Sequence, residues 1–385
     1  MIPYGRHFID DADIAAVVSA LRSDSITQGD CAPLFENGIC ELVGATFSVA
    51  VNSATSALHL ACLALEVGSG DLVWTSATTF VASANCALYC GARIDFVDID
   101  LETGNISVEA LNEKLNIAAV TNRLPKVLIA VHLTGEPCDM VEIWRLANAF
   151  GVKVIEDASH AIGATYREKK IGACQYSNIT VFSFHPVKII TTAEGGVATT
   201  NDPKLARTMQ LLRSHGITKD PTEMSKEPDG PWYYEQIGLG FNYRMSDIHA
   251  ALGLSQLAKI DEFIAARHKI AECYDIKLNR DLVQLPLRHS KSCSALHLYV
   301  IRVSEKYHLE VFKKLRSDGI GVNLHYIPVH LHPFFRKMGF SEGSYPNSES
   351  YYRQCISLPI YPLLSNDDQN YVIDKLHNAI QEITR

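Results

Sequence analysis

Seven short apolar runs, most of them followed by a segment with helical periodicity, constrain this chain more than any other feature. The runs are Phe47–Ser53, Asp71–Ser76, Arg93–Asp98, Lys126–Val131, Lys153–Asp157, Ile179–Phe184 and Gly196–Thr200. They are rich in Val, Ile and Phe and largely non-alternating, which is the pattern of strands covered on both faces. Helical patterns occupy Ala54–Leu65, Val81–Cys90, Val108–Leu115, Met140–Phe150 and Pro203–His215. Ser107 stands where an N-cap belongs, and Gly91 and Gly151 stand where helices should stop. Strand–helix alternation demands crossover connections, so the expected fold is α/β, with a mostly parallel sheet covered by helices.

Beyond about residue 245 the pattern changes. A long helix is expected from Ser246 to about Asp275, with Ile248, Leu252, Leu254, Leu257 and Ile260 as its apolar stripe. Strands follow at His297–Val303 and Gly321–His325, with helices at Tyr307–Asp318 and Asp367–Thr384. The chain therefore divides into a large α/β domain, residues 1–250, and a small α+β domain, residues 251–385. Lys219–Trp232, rich in Pro, Asp, Glu and Lys, reads as an exposed loop.

With 47% hydrophobic residues in 385, there is enough apolar material for two cores. A net charge of −8 and scattered Lys and Arg argue against nucleic acid as a partner. No apolar run approaches the ~18–20 residues of a membrane span. The first residues lack the layout of a signal peptide, so a cytoplasmic location is expected. Ten cysteines form no Cys-x-x-Cys pair and read as small core residues rather than as metal or redox groups. His325, His330 and His332 lie in a loop bounded by Pro328 and Pro333, which lacks metal-ligand spacing, so no metal is expected.

In open α/β sheets, ligands bind beyond the carboxyl ends of the strands. Asn52-Ser53-Ala54-Thr55-Ser56 takes one strand into a helix through hydroxyl residues, giving either a phosphate site or an ordinary capped helix. Phe80 follows the second strand and could stack on a flat heterocycle or belong to the core. Asp157 ends a buried strand, where a carboxylate is costly unless it meets a cation or caps the next helix. A protonated pyridine nitrogen would be such a cation, and His160 lies close by in sequence. Lys188 lies five residues past the strand hydroxyl of Ser183 and before the Gly195-Gly196 pair, in apolar surroundings that would lower its pKa. Jointly these supply a phosphate cradle, a stacking ring, a pyridinium partner and a nucleophilic lysine at successive strand exits.

The runs Phe182-Ser183-Phe184-His185-Pro186-Val187-Lys188, Thr191-Thr192-Ala193-Glu194-Gly195-Gly196, Glu156-Asp157-Ala158-Ser159-His160-Ala161 and Asn52–Leu58 resemble the DegT/DnrJ/EryC1/StrS sugar aminotransferases. The resemblance covers nearly the whole chain, including Ile26–Gly29 and Gly240–Met245. It implies the aspartate aminotransferase-like fold type I of pyridoxal 5'-phosphate enzymes, with a homodimer whose active site lies between subunits. By the same resemblance Lys188 is the Schiff-base lysine, Asp157 pairs with the pyridine nitrogen, Phe80 stacks on the ring and His160 lies near the ring hydroxyl. Ser183, Thr55 and Ser56 hold the phosphate, and Asn242 reaches it from the neighbouring subunit. Asn52–Leu58 and Phe182–Gly196 combined with Arg213-Ser214-His215-Gly216 and His325-Tyr326-Ile327-Pro328 are similar to the branch that serves pseudaminic acid synthesis. The loop around Pro328 and Pro333 reads as substrate-facing, with His325 and Tyr326 best placed in it. The implied reaction carries an amino group from L-glutamate to carbon 4 of a UDP-linked 4-keto-6-deoxy-N-acetylhexosamine. Sugar dehydratases of the same family carry His at the lysine position, and a non-catalytic sensor would have no need of the intact lysine set. A nucleotide-dependent oxidoreductase is excluded because no Gly-x-Gly-x-x-Gly follows the first strand.

Overall fold

The computed structural model describes residues 1–384. Its centre is a seven-stranded sheet of β1 (Phe47–Val51), β2 (Leu72–Ser76), β3 (Arg93–Val97), β4 (Val127–Val131), β5 (Lys153–Asp157), β6 (Ile179–Ser183) and β7 (Gly196–Thr200). The spatial order is β1-β7-β6-β5-β4-β2-β3. Only β7 runs antiparallel to its neighbours, and it separates β1 from β6. All seven strands lie within a residue or two of their sequence expectation.

The lack of alternation has a simple cause. Trp74, Leu128, Val154, Phe182 and Val197 enter one core. Their chain neighbours Val73, Ile129, Ile155, Val181 and Ala198 enter another on the opposite face. Both faces are buried, so both sets of positions must be apolar, each large side chain contributing roughly 1.5–3 kcal/mol.

Helices α3 (Ala54–Ala64), α4 (Ala82–Tyr89), α5 (Val108–Val120), α6 (Met140–Ala149) and α7 (Pro203–Leu212) cover the sheet. Ser107 caps α5 through the Ala110 amide, and Gly91 and Gly151 adopt the left-handed backbone that ends α4 and α6. The last helix of this set stops short of His215, because His215 and Gly216 are both left-handed.

Two helices were not apparent in the sequence: α1 (Asp11–Arg22) and α2 (Cys31–Val43). They pack on α8 (Asp247–Leu257), which is followed after a break by α9 (Ile260–Lys277). The single helix expected across residues 246–275 is therefore two. No proline or glycine marks the break. It falls where Lys259 Nζ reaches Asp10 at 2.8 Å and the buried Asp13 at 2.7 Å, so tertiary packing overrides local propensity there.

From α9 onward, Ile270, Tyr274, Tyr299, Ile301, Leu315 and Leu376 build a third core. It contains the antiparallel pair β8 (Tyr299–Arg302) and β9 (Cys355–Leu358). Ile2 packs against it, and Ile2–Pro3 pairs in parallel with Ile320–Gly321. The strand expected over Gly321–His325 is limited to this two-residue pairing. Past it the chain turns toward the large sheet, held by Asn323 bridging Ser357 and by His325 Nδ1 bonding Ser357 Oγ at 2.7 Å.

Candidate active site

A cleft of about 720 Å³ opens beyond the carboxyl ends of β1, β2, β5 and β6 and is closed on one side by residues 323–327. The β1 exit provides the first wall. Ser53 caps α3 by accepting the Ser56 amide at 3.1 Å, and Thr55 lines the cleft with Ser53 and Ala54. Ser56 does not line it, because its hydroxyl turns back to Asn52 Oδ1 at 2.6 Å. Of the two α3 hydroxyls expected at a phosphate, Thr55 therefore faces the cleft and Ser56 does not. Ser183 is buried at the end of β6, lines the cleft, and its hydroxyl has no partner among the described residues. A helix N-terminus with two unpaired hydroxyls is chemically an anion cradle.

Phe80 is 57% exposed and stands over the cleft, its ring 6.0 Å from that of Tyr326. This is not a core position, so the open face is free to stack. Asp157 lies at the opposite depth, 5% exposed. Its Oδ2 accepts Ser83 Oγ at 2.7 Å, and its Oδ1 accepts Ser159 Oγ at 2.6 Å and the Ser159 amide at 3.1 Å. Hydroxyl donors hold the carboxylate without neutralising it, leaving lone pairs for a cation in the cleft.

Lys188 follows β6 on a turn anchored by its own amide to the His185 carbonyl at 2.9 Å. Burial pulls its ammonium down to about 8, with Asp157 opposing the shift. About a tenth is then free amine at pH 7, far more than for a lysine at its ordinary pKa of about 10.4, as a nucleophile or general base requires. His160 is buried beside it, and burial, then the charges of Lys188 and His325, push its pKa well down. His325 is driven down to about 3 by burial and then Lys188, and is a neutral imidazole.

Residues 55, 80, 157, 160, 183, 188, 325 and 326 thus converge on one cleft. Asn242 does not. It is exposed and bridges Ser214, outside the cleft of its own chain. His330 is also elsewhere, its Nε2 bonded to the buried Glu349 at 2.9 Å. Sequence reasoning missed Tyr4, Asn323 and Glu194, which line the cleft, and Ser83, which holds Asp157. Ser83 carried a faint signal, one turn beyond Phe80 on the helix that follows it. Tyr4 and Asn323 carried none, because only the packing of the small core brings them near.

The family model for the DegT/DnrJ/EryC1/StrS aminotransferase family matches residues 7–377. The chain is 38% identical over 388 residues to the spore coat polysaccharide biosynthesis protein SpsC of Bacillus subtilis, covering 99% of this chain and 97% of that protein. It is 35% identical over 395 residues to the UDP-4-amino-4,6-dideoxy-N-acetyl-beta-L-altrosamine transaminase of Campylobacter jejuni, covering 100% and 99%. Spr1654 of Streptococcus pneumoniae, a candidate sugar aminotransferase solved in its PMP form, superposes with a TM-score of 0.91 at 30% identity over 100% of both chains. A family match across almost the entire length, with a fold shared at a TM-score of 0.91, places this chain in the DegT/DnrJ/EryC1/StrS aminotransferase family.

Proposed function

We propose that this protein transfers the amino group of L-glutamate to carbon 4 of a UDP-linked 4-keto-6-deoxy-N-acetylhexosamine, with pyridoxal 5'-phosphate as its cofactor. The observation that carries the reading is the joint presence of Lys188, Asp157 and the α3 N-terminus around one cleft. The residues fit the cofactor. Ser183 and Thr55 offer hydroxyls without protein partners, Phe80 offers an open ring face, and Asp157 offers an acceptor held by two serines. Gly196 leaves room where this cradle forms, since a Cβ there would stand 2.5 Å from the Ala54 amide nitrogen.

Bound, the cofactor supplies an electron sink, a protonated pyridine ring that accepts the electron pair released when a C–H bond breaks. The protein's share is positional and protonic. Asp157 keeps the ring nitrogen protonated and Phe80 fixes the ring plane, while the helix terminus and Ser183 hold the phosphate dianion. Lys188 Nζ takes the proton from the donor's α-carbon and returns a proton on the acceptor half of the cycle. L-glutamate leaves as 2-oxoglutarate and the keto-sugar leaves as an amino sugar.

We further read the active unit as a homodimer. Asn242 lies outside its own cleft, as a residue supplied across a subunit boundary must, and Trp232 and Leu239 nearby are 74% and 83% exposed. The UDP-sugar assignment draws on the Campylobacter relative and on the His325–Pro328 run, and SpsC, at similar identity, keeps other surface-polysaccharide sugars as the competing substrates. The dehydratase reading is disfavoured by Lys188 itself.

The test is a visible spectrum of the protein with pyridoxal phosphate, before and after L-glutamate, then with a UDP-4-keto sugar. Loss of the cofactor band on glutamate and its return on the sugar supports the proposal. A band that ignores every amino donor sinks it, and the absence of any band removes the role given to Lys188.

A further inference from the structure

Two hydrogen bonds decide which nitrogen of His160 carries its proton. The Thr134 amide donates to Nδ1 at 3.2 Å, so Nδ1 presents its lone pair and bears no hydrogen. The ring is buried among Lys188, His297, His325 and Tyr326, and none of these supplies a counter-charge for an imidazolium. Its one proton therefore lies on Nε2, which is 3.1 Å from the Tyr326 hydroxyl oxygen. That oxygen accepts. The phenol's own hydrogen cannot point back at His160, and it has no other acceptor among the described residues. Tyr326 lines the cleft, so the free direction is into it.

We propose that the Thr134 amide, His160 and Tyr326 form a proton-directing chain that presents the Tyr326 hydroxyl as an obligate donor to an oxygen acceptor of the bound ligand. His160 is in this respect a positioning residue, and Tyr326 is the group that touches ligand. The proposal rests on the aminotransferase reading for the identity of that ligand, though the tautomer itself does not. Two oxygens have the required chemistry: the ring oxygen of the cofactor and the carbonyl oxygen of the keto-sugar.

The surroundings are built to hold this arrangement. Thr134 has φ +63°, a left-handed conformation unusual for a β-branched residue. It is kept there by Leu133 N–H on Asn105 Oδ1 at 2.9 Å and by Leu298 N–H on the Thr134 carbonyl at 3.1 Å. Gly135 presses directly on His160, since a Cβ at Gly135 would lie 2.7 Å from the His160 carbonyl oxygen. On the far side the buried His297 ring packs 4.4 Å from the His160 ring, centre to centre. Burial also raises the Tyr326 phenol, which keeps its hydrogen at any physiological pH.

The experiment has two arms. In the first, ¹⁵N-histidine NMR is recorded on the cofactor-free full-length protein from about pH 6 to about pH 8, with His160→Asn to assign the resonance. The expected result is an Nε2-protonated neutral ring throughout. A ring protonated on Nδ1, or an imidazolium in that range, overturns the chain. In the second arm, Tyr326→Phe removes one hydroxyl and keeps the ring. A shifted absorption maximum and pH dependence of the cofactor-loaded enzyme without substrate assigns the hydrogen to the cofactor oxygen. An unchanged spectrum and glutamate half-reaction, with a sugar half-reaction slowed ~10–100-fold, assigns it to the sugar. No change in any of these overturns the proposal, as do additive losses in the His160→Asn, Tyr326→Phe double-mutant cycle. If the unsubstituted enzyme neither loads cofactor nor turns over, the functional reading fails and the NMR arm still decides the tautomer.

Discussion

Glu156 and Asp157 are adjacent carboxylates at the end of one strand, yet they belong to opposite sides of the sheet and to different economies of hydrogen bonding. Glu156 points behind the sheet, 4% exposed, and accepts from Ser177 Oγ at 2.5 Å, Thr180 Oγ1 at 3.0 Å and His132 Nε2 at 2.8 Å. The Cys138 amide in turn donates to His132 Nδ1 at 3.1 Å, just as the Thr134 amide does to His160. Every member of that rear network has a partner within the protein. Burial pushes the Glu156 carboxyl up, and the bonds from His132, Ser177 and Thr180 outweigh it and leave it below its usual range. In front of the sheet the same residue types remain open toward the cleft. Asp157 keeps lone pairs, and the histidine bonds a phenol whose hydrogen is unplaced. A satisfied polar cluster stabilises; an incompletely satisfied one in a cleft binds.

The largest expected effect that would break this contrast lies on the front side. Lys188→Ala should lower transamination by more than ~10⁴-fold with no loss of thermal stability, measured by turnover and calorimetry. Comparable activity in the variant would remove the lysine from the mechanism. Next comes the carboxylate pair itself. Asp157→Asn should cost ~10²–10³-fold in turnover and leave Tm unchanged. Glu156→Gln should do the reverse, losing about 1–3 kcal/mol of stability and keeping activity within a few-fold. Because its folded pKa is depressed, the stability Glu156 provides is present above the carboxylate's unfolded pKa and fades as pH falls through the lower folded value. Equal behaviour of the two variants would erase the distinction between the faces.

Phe80→Ala should weaken cofactor retention about 10-fold, read by equilibrium dialysis, without unfolding, since the ring is more exposed than buried. Unchanged retention would return Phe80 to a bystander. The smallest effect concerns strain in the cofactor-free state. A lysine whose pKa is lowered to about 8 penalises the folded protein below that pH, and the penalty fades between there and its unfolded value. Lys188→Met should therefore raise the Tm of the cofactor-free protein by ~2 °C near neutrality and by nothing measurable at high pH. A lowered Tm at pH 7 would count against a destabilised amine.

The sheet was readable in the sequence because both faces of each strand are buried, leaving uninterrupted Val, Ile and Phe runs. The site residues at strand exits were readable for a related reason: Asp157 and Ser183 are polar residues at the ends of those runs, and Lys188 follows Ser183 by five residues. What stayed hidden depends on contacts between distant segments. The division of the expected 246–275 helix at Lys259 follows from Asp13 in a helix more than two hundred residues away. Ser56 was expected at the phosphate through the family resemblance, and here Asn52 claims its hydroxyl. Tyr4 and Thr134 had no local motif at all. Their roles arise only once the small core folds against the large sheet.

Gly196 pairs on one side with Val51, at the end of β1, and on the other with Ser183, at the end of β6. The helix terminus that follows β1 and the hydroxyl that closes β6 are thus two jaws hung from a single intervening residue. Their separation is a backbone dimension, two inter-strand spacings of about 4.8 Å each, and no side-chain rotamer can alter it. The gauge of the anion cradle is accordingly set by a residue that offers a ligand no atom of its own, and evolution can vary what grips the ligand without changing the size of what is gripped.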